Sequence, residues 1–581
     1  MKTMRRTIIL ASALFVCATS FGQNLNPTVE VTNIYQGNAS EIHKPQTGMA
    51  IPDSLLRFDM DFDYEVFQKP YQGAYNFKPY MLAMKPDKDA YRGKKLYLRA
   101  GAGYSLHPQL DFVFSPEQKG PFQMSVYANN RSYFGDYYSL SSSRSSDGYR
   151  LERTAKESFF GYDALSSIGF DGRYNLPGTT ISFGAGYKGL MTQDTLANRA
   201  FNAMVFNARI RSNKDEEKYV FYDVAVDGSL GGLNTGSAKL GENIIRLTGN
   251  AGPVLSRTQK VLVGFEAESV AYSNMYKYNA GRLAFIPKYL LKTGQWDLSI
   301  GVRLEKLLGG TDLVWDGPAN TYRGNWLFPD VHVSYAVSND VRLFASATGG
   351  NDLNPVSSLL DRNHFWRTSY HSMDNSVENV NARVGIKGIV NRVFQYEIRG
   401  GAAVYANGLV ESPVSAWPAD GIYFYLPTST YQDYSLIYGD ALFGLTYSNL
   451  KVDAGLHFRN MAFKEENAEG LLVPKFSFDM KTIYDINSRA YVGIRVNAVS
   501  SRKGLYSNPF IPYAESALSL QQTYNLTVPG YFDLGLLAGY QFNRKLGFWL
   551  ESGNLLCETV QRNLFYAEKG LWITAGITLS L

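Results

Sequence analysis

The chain is poor in cysteine, with two in 581 residues, and poor in histidine, with six. Beyond its first two dozen positions it also lacks any uninterrupted apolar run of the roughly 18 residues that a membrane-spanning helix needs. Each absence removes a class of protein. Helical membrane spans are excluded by the missing run. His43, His107, His332, His364, His371 and His457 show no HExxH or comparable spacing, so neither a metal nor metal catalysis is expected. A GxSxG elbow and a Walker loop are missing too, and the chain is expected to use no cofactor and not to be an enzyme.

The cysteine shortage deepens once the N-terminus is considered. Lys2, Arg5 and Arg6 precede an apolar run from Ile8 to Val16, with small residues at Ser20 and Gly22, so residues 1–22 are expected to be a secretory signal cleaved before Gln23. Cys17 leaves with it. Lipidation there is not expected, because Phe15 and Val16 stand where a small residue is needed. Cys557 alone remains, which rules out an intramolecular disulfide and suggests a small apolar strand residue. Losing the three signal cations lowers the formal charge from +5 to +2, which leaves no argument for nucleic acid as a partner.

What the chain does have is tyrosine, glycine and alternation: 41 Tyr, 53 Gly, and a mean hydropathy of −0.21 that conceals apolar residues at every second position. In the last twelve residues Ile573, Ala575, Ile577, Leu579 and Leu581 share one side of an extended chain, opposite Thr574, Gly576, Thr578 and Ser580. Trp296, Leu298, Ile300, Val302 and Leu304 likewise oppose Asp297, Ser299, Gly301, Arg303 and Glu305. Further along, Ile398 and Val404 oppose Glu397 and Arg399, and Ile494 opposes Arg495. The inward set carries charge at a density that a soluble sandwich core would not tolerate. A wide, polar-lumened barrel would tolerate it.

About 22 such segments run from 95–104 to 570–581, in the even-numbered range of bacterial barrels. The fold expected is therefore all-β, a transmembrane antiparallel β-barrel over residues 94–581. Residues 23–93 form a short N-terminal segment expected at the periplasmic mouth or in the lumen. Parity supports the count. Tight turns such as Leu176-Pro177, Val337 to Asp340 and Asn543 to Lys545 follow even-numbered strands, whereas the long connections 133–161, 308–324, 350–376, 409–430 and 501–530 follow odd-numbered ones. A strand at Ser519 to Pro529 would break this parity and is rejected. The serine-rich stretch Ser139 to Ser146 is expected to be exposed and mobile.

The stretch from Pro27 to Tyr35 (PTVEVTNIY), followed by Phe62 to Val66 (FDYEV), Phe77-Lys78-Pro79, Leu98 to Tyr104 (LRAGAGY) and Gly553 to Leu556 (GNLL), resembles plug-less TonB-dependent-receptor-like barrels of Bacteroidota. The resemblance covers essentially the whole mature chain. It implies a 22-stranded barrel in the outer membrane of a Gram-negative bacterium and implies no particular ligand. Receptors of that class carry a large plug ahead of the barrel, and residues 23–93 are too few to form one.

Local motifs add little. Gly184, Gly186 and Gly189 spell GxGxxG, but inside an alternating strand, where glycine serves as a space-maker and not as a dinucleotide turn. Asp59, Asp61 and Asp63 fall on one face of an extended segment without the tight glycine turn of a calcium loop, so a solvated acidic face is the better reading. The loop from Asn351 to Asn375 gathers Arg362, His364, Phe365, Trp366, Arg367, Tyr370 and His371, a set able to bind a sugar, a phosphate of lipopolysaccharide or a protein. A self-packed loop folded over the barrel mouth fits the same residues. Asp297, Arg303, Glu305, Glu397, Arg399 and Arg495 are expected to face the lumen.

Two functions stay open: a transport pore or receptor-derived channel, and a non-transporting structural or assembly subunit of an outer-membrane complex. The partners expected are outer-membrane lipid and lipopolysaccharide, together with proteins of such a complex. If the terminal strand closes the barrel, deleting Leu579 to Leu581 exposes two strand edges and abolishes stable insertion. Heat-modifiable electrophoretic mobility checks this; a truncation that still migrates as a folded barrel would refute the topology.

Overall fold

In the computed structural model the described residues are 95–116, 120–213, 219–236, 238–275, 278–309, 324–367, 374–416, 424–507 and 523–581. The expected signal, the 23–93 segment and the Asp59, Asp61 and Asp63 face lie outside them. Among them, 26 strands join in one sheet. Twenty-two close an antiparallel barrel. The remaining four, Gly470–Leu471, Arg502–Ser507, Thr523–Val528 and Ala567–Glu568, pair on the outer connections. No described helix is long and apolar enough to cross a membrane.

Closure is made by the first and last strands. Leu96–Tyr104 and Trp572–Ser580 pair from Tyr97↔Ser580 to Tyr104↔Ile573, and backbone bonds Leu96 N to Leu581 O (3.1 Å) and Leu581 N to Leu96 O (2.9 Å) finish the seam. Glycine is required there. At Gly101 and Gly576, paired across the seam, a Cβ would come within 2.4 and 2.6 Å of the Trp549 ring, which lies flat along the inner wall. The Arg99 guanidinium stacks on that ring at 4.0 Å and pairs with Glu551 at 2.5 Å.

Period two governs both faces. Outward Met204, Ile300, Val384 and Ile437 are all more than half exposed, as lipid-facing residues of a barrel must be when no lipid is present. Exposed Tyr219, Trp296, Tyr447, Tyr484 and Tyr540 lie beside the short turns and form one interfacial girdle. Phe476 and Tyr104 mark the opposite rim. Phe476 and Tyr484 terminate one strand, Phe476–Asp485, and span about 26 Å of chain at roughly 3.3 Å per residue. Tilt shortens this to about the height of a bilayer core.

Four differences from the sequence reading appear at the outer rim. The connection expected at 133–161 is instead a continuation of strands Phe122–Ser145 and Gly148–Leu176, paired from Tyr133↔Asp163 to Ser145↔Gly148. The serine stretch lies mostly in that hairpin as paired strand; Ser139 and Leu140 are buried, while Ser141, Ser142, Arg144, Ser145 and Ser146 are exposed, as expected. Likewise Phe394–Ala416 and Phe424–Tyr447 extend together through most of 409–430. Backbone pairing continues past the lipid because edge groups in water are better satisfied by a neighbouring strand. The rejected segment does form a strand, Thr523–Val528, but it pairs with Arg502–Ser507 outside the barrel, so the count of 22 stands. Cys557 is not in a strand: Leu546–Gly553 stops earlier, and Cys557 is exposed with φ +51° in the following connection.

Register is testable by charge. Ile300 is 52% exposed toward lipid while Ser299 faces inward. Ile300→Arg is expected to destabilise the barrel by about 2–4 kcal/mol and Ser299→Arg to be nearly neutral. Equilibrium unfolding from lipid vesicles measures both, and equal losses would place the register one residue off.

Candidate functional site

The mouth of the barrel is filled from within. The connection after strand Val341–Asp352 turns inward at Asn354 (φ +45°) and Pro355 and forms the helix Val356–Arg362. Val356, Leu359 and Leu360 occupy positions i, i+3 and i+4, the single apolar face of a helix. That face is buried against inward residues of neighbouring strands, among them Leu190, Phe201, Leu240, Val270 and Ala280. Burial of each such side chain contributes about 1.5–3 kcal/mol. Pro355 offers no side-chain cap, so the wall supplies one. Ser357 N donates to Glu242 Oε1 at 3.1 Å, and Val356 N donates to the Tyr272 hydroxyl at 3.3 Å. Two of the four orphan amides of the first turn are thereby satisfied.

Beyond the helix the chain meets a second inward connection, 554–571, which joins the last two barrel strands. Phe365 stacks on Tyr566 with ring centroids 3.7 Å apart and 12° between planes, and meets Tyr137 edge-on at 5.6 Å. His364 N donates to Asn563 Oδ1 at 3.2 Å, while Asn363 Nδ2 reaches Leu564 O at 3.4 Å. Trp366 Nε1 donates to Ser429 Oγ at 2.7 Å.

Two carboxylates, Asp163 on the wall and Asp194 in the turn after strand Thr179–Gln193, clamp both connections at once. Asp163 sits 2.7 Å from His364 Nδ1 and accepts from Asn563 Nδ2 at 3.0 Å. Asp194 accepts from Arg367 Nη2 at 2.7 Å, from the Tyr566 hydroxyl at 2.7 Å and from Arg199 Nη2 at 3.1 Å. Arg199 in turn donates to the carbonyls of Phe365 and Trp366 at 2.7 and 3.1 Å. Burial favours the neutral acid at Asp194, yet the Arg199 and Arg367 guanidiniums hold it below the ordinary carboxylate range. At His364 burial opposes the charged ring, and the Asp163 carboxylate more than offsets this, raising the imidazole above its usual 6.5.

Beneath the helix lies an ion network. Arg246, Glu268 and Arg282 face one another across three strands, with Arg246 to Glu268 at 2.5 Å and Arg282 to Glu268 at 3.0 Å. Glu305 accepts from Arg303 at 2.5 Å and from Arg282 at 3.3 Å, and its Oε2 accepts from the backbone and amide of Asn351 at the base of the inward loop. Further round the wall Asp440 binds Arg399, Arg459 and His457 at 3.0, 2.6 and 2.7 Å. Below the first network a cavity of about 270 Å³ follows the inner wall.

The residues singled out in the sequence are thus placed as follows. Phe365 and Trp366 are buried, His364 and Arg367 are engaged by Asp163 and Asp194, and Arg362 ends the helix. All five belong to the closure and not to an outward surface. Tyr370 and His371 lie outside the described residues. Arg303 and Glu305 are in the buried network, Glu397 pairs with Arg399 at 3.1 Å, Arg495 lies 5.2 Å over Trp572, and Asp297 is half-buried at the short-turn end. Gly184 and Gly186 sit within a strand, where a Cβ would approach Asp171 Oδ1 to 2.4 Å and Ile168 O to 2.7 Å. Among the described residues no cluster of three His, Cys, Asp or Glu could hold a metal. Asp163, Asp194, Asn563, Tyr566 and Glu242 escaped sequence reasoning. Asp163 and Glu242 show only inward parity on a strand, shared with dozens of ordinary wall residues, and Asp194, Asn563 and Tyr566 lie in connections where no periodicity marks them.

No protein-family model matches the chain, and no curated protein matches its sequence. Solved structures match its fold. The siderophore receptor PirA from Acinetobacter baumannii aligns with a TM-score of 0.56 at 12% identity, over 84% of this chain and 80% of that one. The ferric-catecholate import receptor Fiu from E. coli K12 gives 0.55 at 10%, over 84% and 82%. FrpB, an iron transporter from Neisseria meningitidis, gives 0.55 at 11%, over 84% and 81%. These likenesses are of fold, a barrel of the kind that receptors of this class use.

The His364 clamp predicts a pH dependence. Folding binds the His364 proton more tightly than the unfolded chain does, so its contribution is complete below about pH 6.5 and fades as pH rises through the raised value. His364→Gln is expected to lower the melting temperature most at pH 6, by the equivalent of about 1–3 kcal/mol, with the gap narrowing at higher pH. Thermal scans of both proteins across pH measure this. A constant gap would show that the ring's charge does not hold the loop.

Proposed function

We propose that the chain is an outer-membrane transport barrel, related in architecture to TonB-dependent receptors, whose route is shut on the outer side by two of its own connections. One observation carries this reading: the helix-bearing loop and the 554–571 connection are seated in the mouth directly above a charged, polar lumen wall. A sealed structural barrel has no need of such a wall, since apolar filling costs less than burying ion pairs. A solute route does need it, because water and polar solutes must be met by polar groups when the closure moves aside. Outer-membrane placement is supported by the lipid-facing period and by the fold shared with receptors, and agrees with the expected signal.

The second reading, a structural subunit of a larger complex, is favoured by the depth of the closure, in which Phe365 and Val356 have no exposed surface. One experiment separates the two. Asp163→Ala combined with Asp194→Ala removes both clamps while leaving the barrel strands intact. Single-channel recording in planar bilayers is expected to find the native chain nearly silent and the doubly substituted chain conducting at least tenfold more. If the unclamped barrel stays silent and the native chain purifies with stoichiometric partners, the structural reading replaces the transport one.

A further inference from the structure

One patch of the inner wall gathers cations beyond what its carboxylates match. Strands Val341–Asp352, Ser376–Val390 and Phe394–Ala416 lie side by side, and on their inward faces Arg342 stands directly across from Lys387. Arg399 lies across from Gly385, midway between Arg383 and Lys387. Like charges set directly opposite in a sheet are destabilising. The charged groups that bear on Lys387 are Glu397, Arg342, Arg383 and Arg399, so most are of its own sign. Glu397 and Asp440 both pair with Arg399, and Asp440 is shared with Arg459 and His457. The excess does not turn on how His457 or Glu378 titrates. With Glu378 and Asp479 counted as ionised and His457 as neutral, the cations Arg342, Arg383, Lys387, Arg399 and Arg459 still outnumber the carboxylates Glu378, Glu397, Asp440 and Asp479.

Arg383 has bonding capacity to spare. It donates once, from Nε to Ser346 Oγ at 2.7 Å, and no carboxylate among the described residues pairs with it. Its two Nη groups find no protein partner and keep water-accessible surface, for the residue is only partly buried. Glycine opens the space in front of them. Gly385, two residues along the strand, and Gly401, directly opposite Arg383, are overlain by the rings of Phe344 and Tyr438, which would come within 2.4 and 2.7 Å of a Cβ there. Ser346 lies five residues from Asn351 toward the short turns, which places this fork below the closure. A guanidinium with both Nη groups open matches two oxygens of one carboxylate or phosphate.

We propose that this patch binds a small solute carrying an oxyanion, a carboxylate or a phosphate, held by the Nη fork of Arg383 with Arg399 and Lys387 on its flanks. The anion supplies the missing negative charge and accepts from the open N–H groups; a neutral sugar does only the second, and an ammonium does neither. The inference deepens the transport reading by naming the class of solute the lumen accepts, and it rests on that reading only for its purpose. The site itself is tested by binding.

The full chain in mild detergent is titrated calorimetrically, at constant ionic strength set with sodium chloride, with sodium phosphate, sodium succinate, glucose and ethanolamine hydrochloride. The oxyanions are expected to bind at one site per chain, and glucose and ethanolammonium not to bind. Arg383→Gln should weaken binding at least tenfold. Arg383→Lys, which keeps the charge and loses the fork, should weaken it severalfold. Arg173→Gln, which removes a cation from strand Gly148–Leu176 elsewhere on the inner wall, should leave it unchanged. Heat-modifiable mobility checks that each variant is folded. Binding of neither oxyanion, equal binding of glucose, or binding that Arg173→Gln weakens as much as Arg383→Lys does would overturn the proposal. An unclamped barrel that conducts but binds no oxyanion leaves the transport reading standing without this solute class; oxyanion binding by a barrel that stays silent when unclamped removes the transport reading alone.

Discussion

Everything in this molecule follows from the pairing of its last strand with its first. That pairing satisfies the backbone of both edges, which hydrocarbon cannot do, and it fixes the circumference at 22 strands. Circumference fixes the lumen. A ring this wide cannot be filled by wall side chains alone, as an eight-stranded ring can, so the chain has to fold further segments into it or leave a hole. The inward helix, the 554–571 connection and the charged wall are all answers to a width set at the seam. Trp549, laid flat over a glycine on each side of it, shows how closely wall packing follows that closure.

Inner charges are organised by the same geometry. Antiparallel register sets Arg246, Glu268 and Arg282 directly opposite one another, so a short row of alternating sign forms across three strands without long side chains having to search for partners. Glu268 touches an arginine on each side, and Arg282 reaches Glu266 and Glu305 as well. That arrangement offsets desolvation better than isolated pairs do, and it leaves Glu305 free to hold the base of the inward loop through Asn351.

The barrel was legible in the sequence because a strand between lipid and lumen has to alternate, and alternation survives without any long-range information. Residues such as Ile300 and Arg303 announce their faces two positions at a time. The outer rim was less legible. Past the bilayer nothing enforces an apolar side, so Tyr133 to Tyr138 and Tyr425 to Thr430 carry no lipid signature, and strands that continue there look like loops. The closure was half legible: the density of aromatics and cations between Arg362 and His371 marked a loop with a task, and self-packing was one of the two readings it allowed. Its anchors were not. Asp163 is 201 residues from His364 and Asp194 is 372 from Tyr566, separations that no local pattern encodes.

The two clamped connections also differ in when the growing chain can provide them. Residues 356–366 emerge well before 563–566, and the latter are held between the final two strands of the ring. Until the last strand has inserted, His364 and Phe365 lack the surfaces of Asn563 and Tyr566 against which they pack. The mouth is therefore sealed only by a finished barrel. An assembly intermediate stalled one hairpin short would have most of its wall and only the helix half of its stopper, so the order of the chain makes a complete closure evidence that construction is finished.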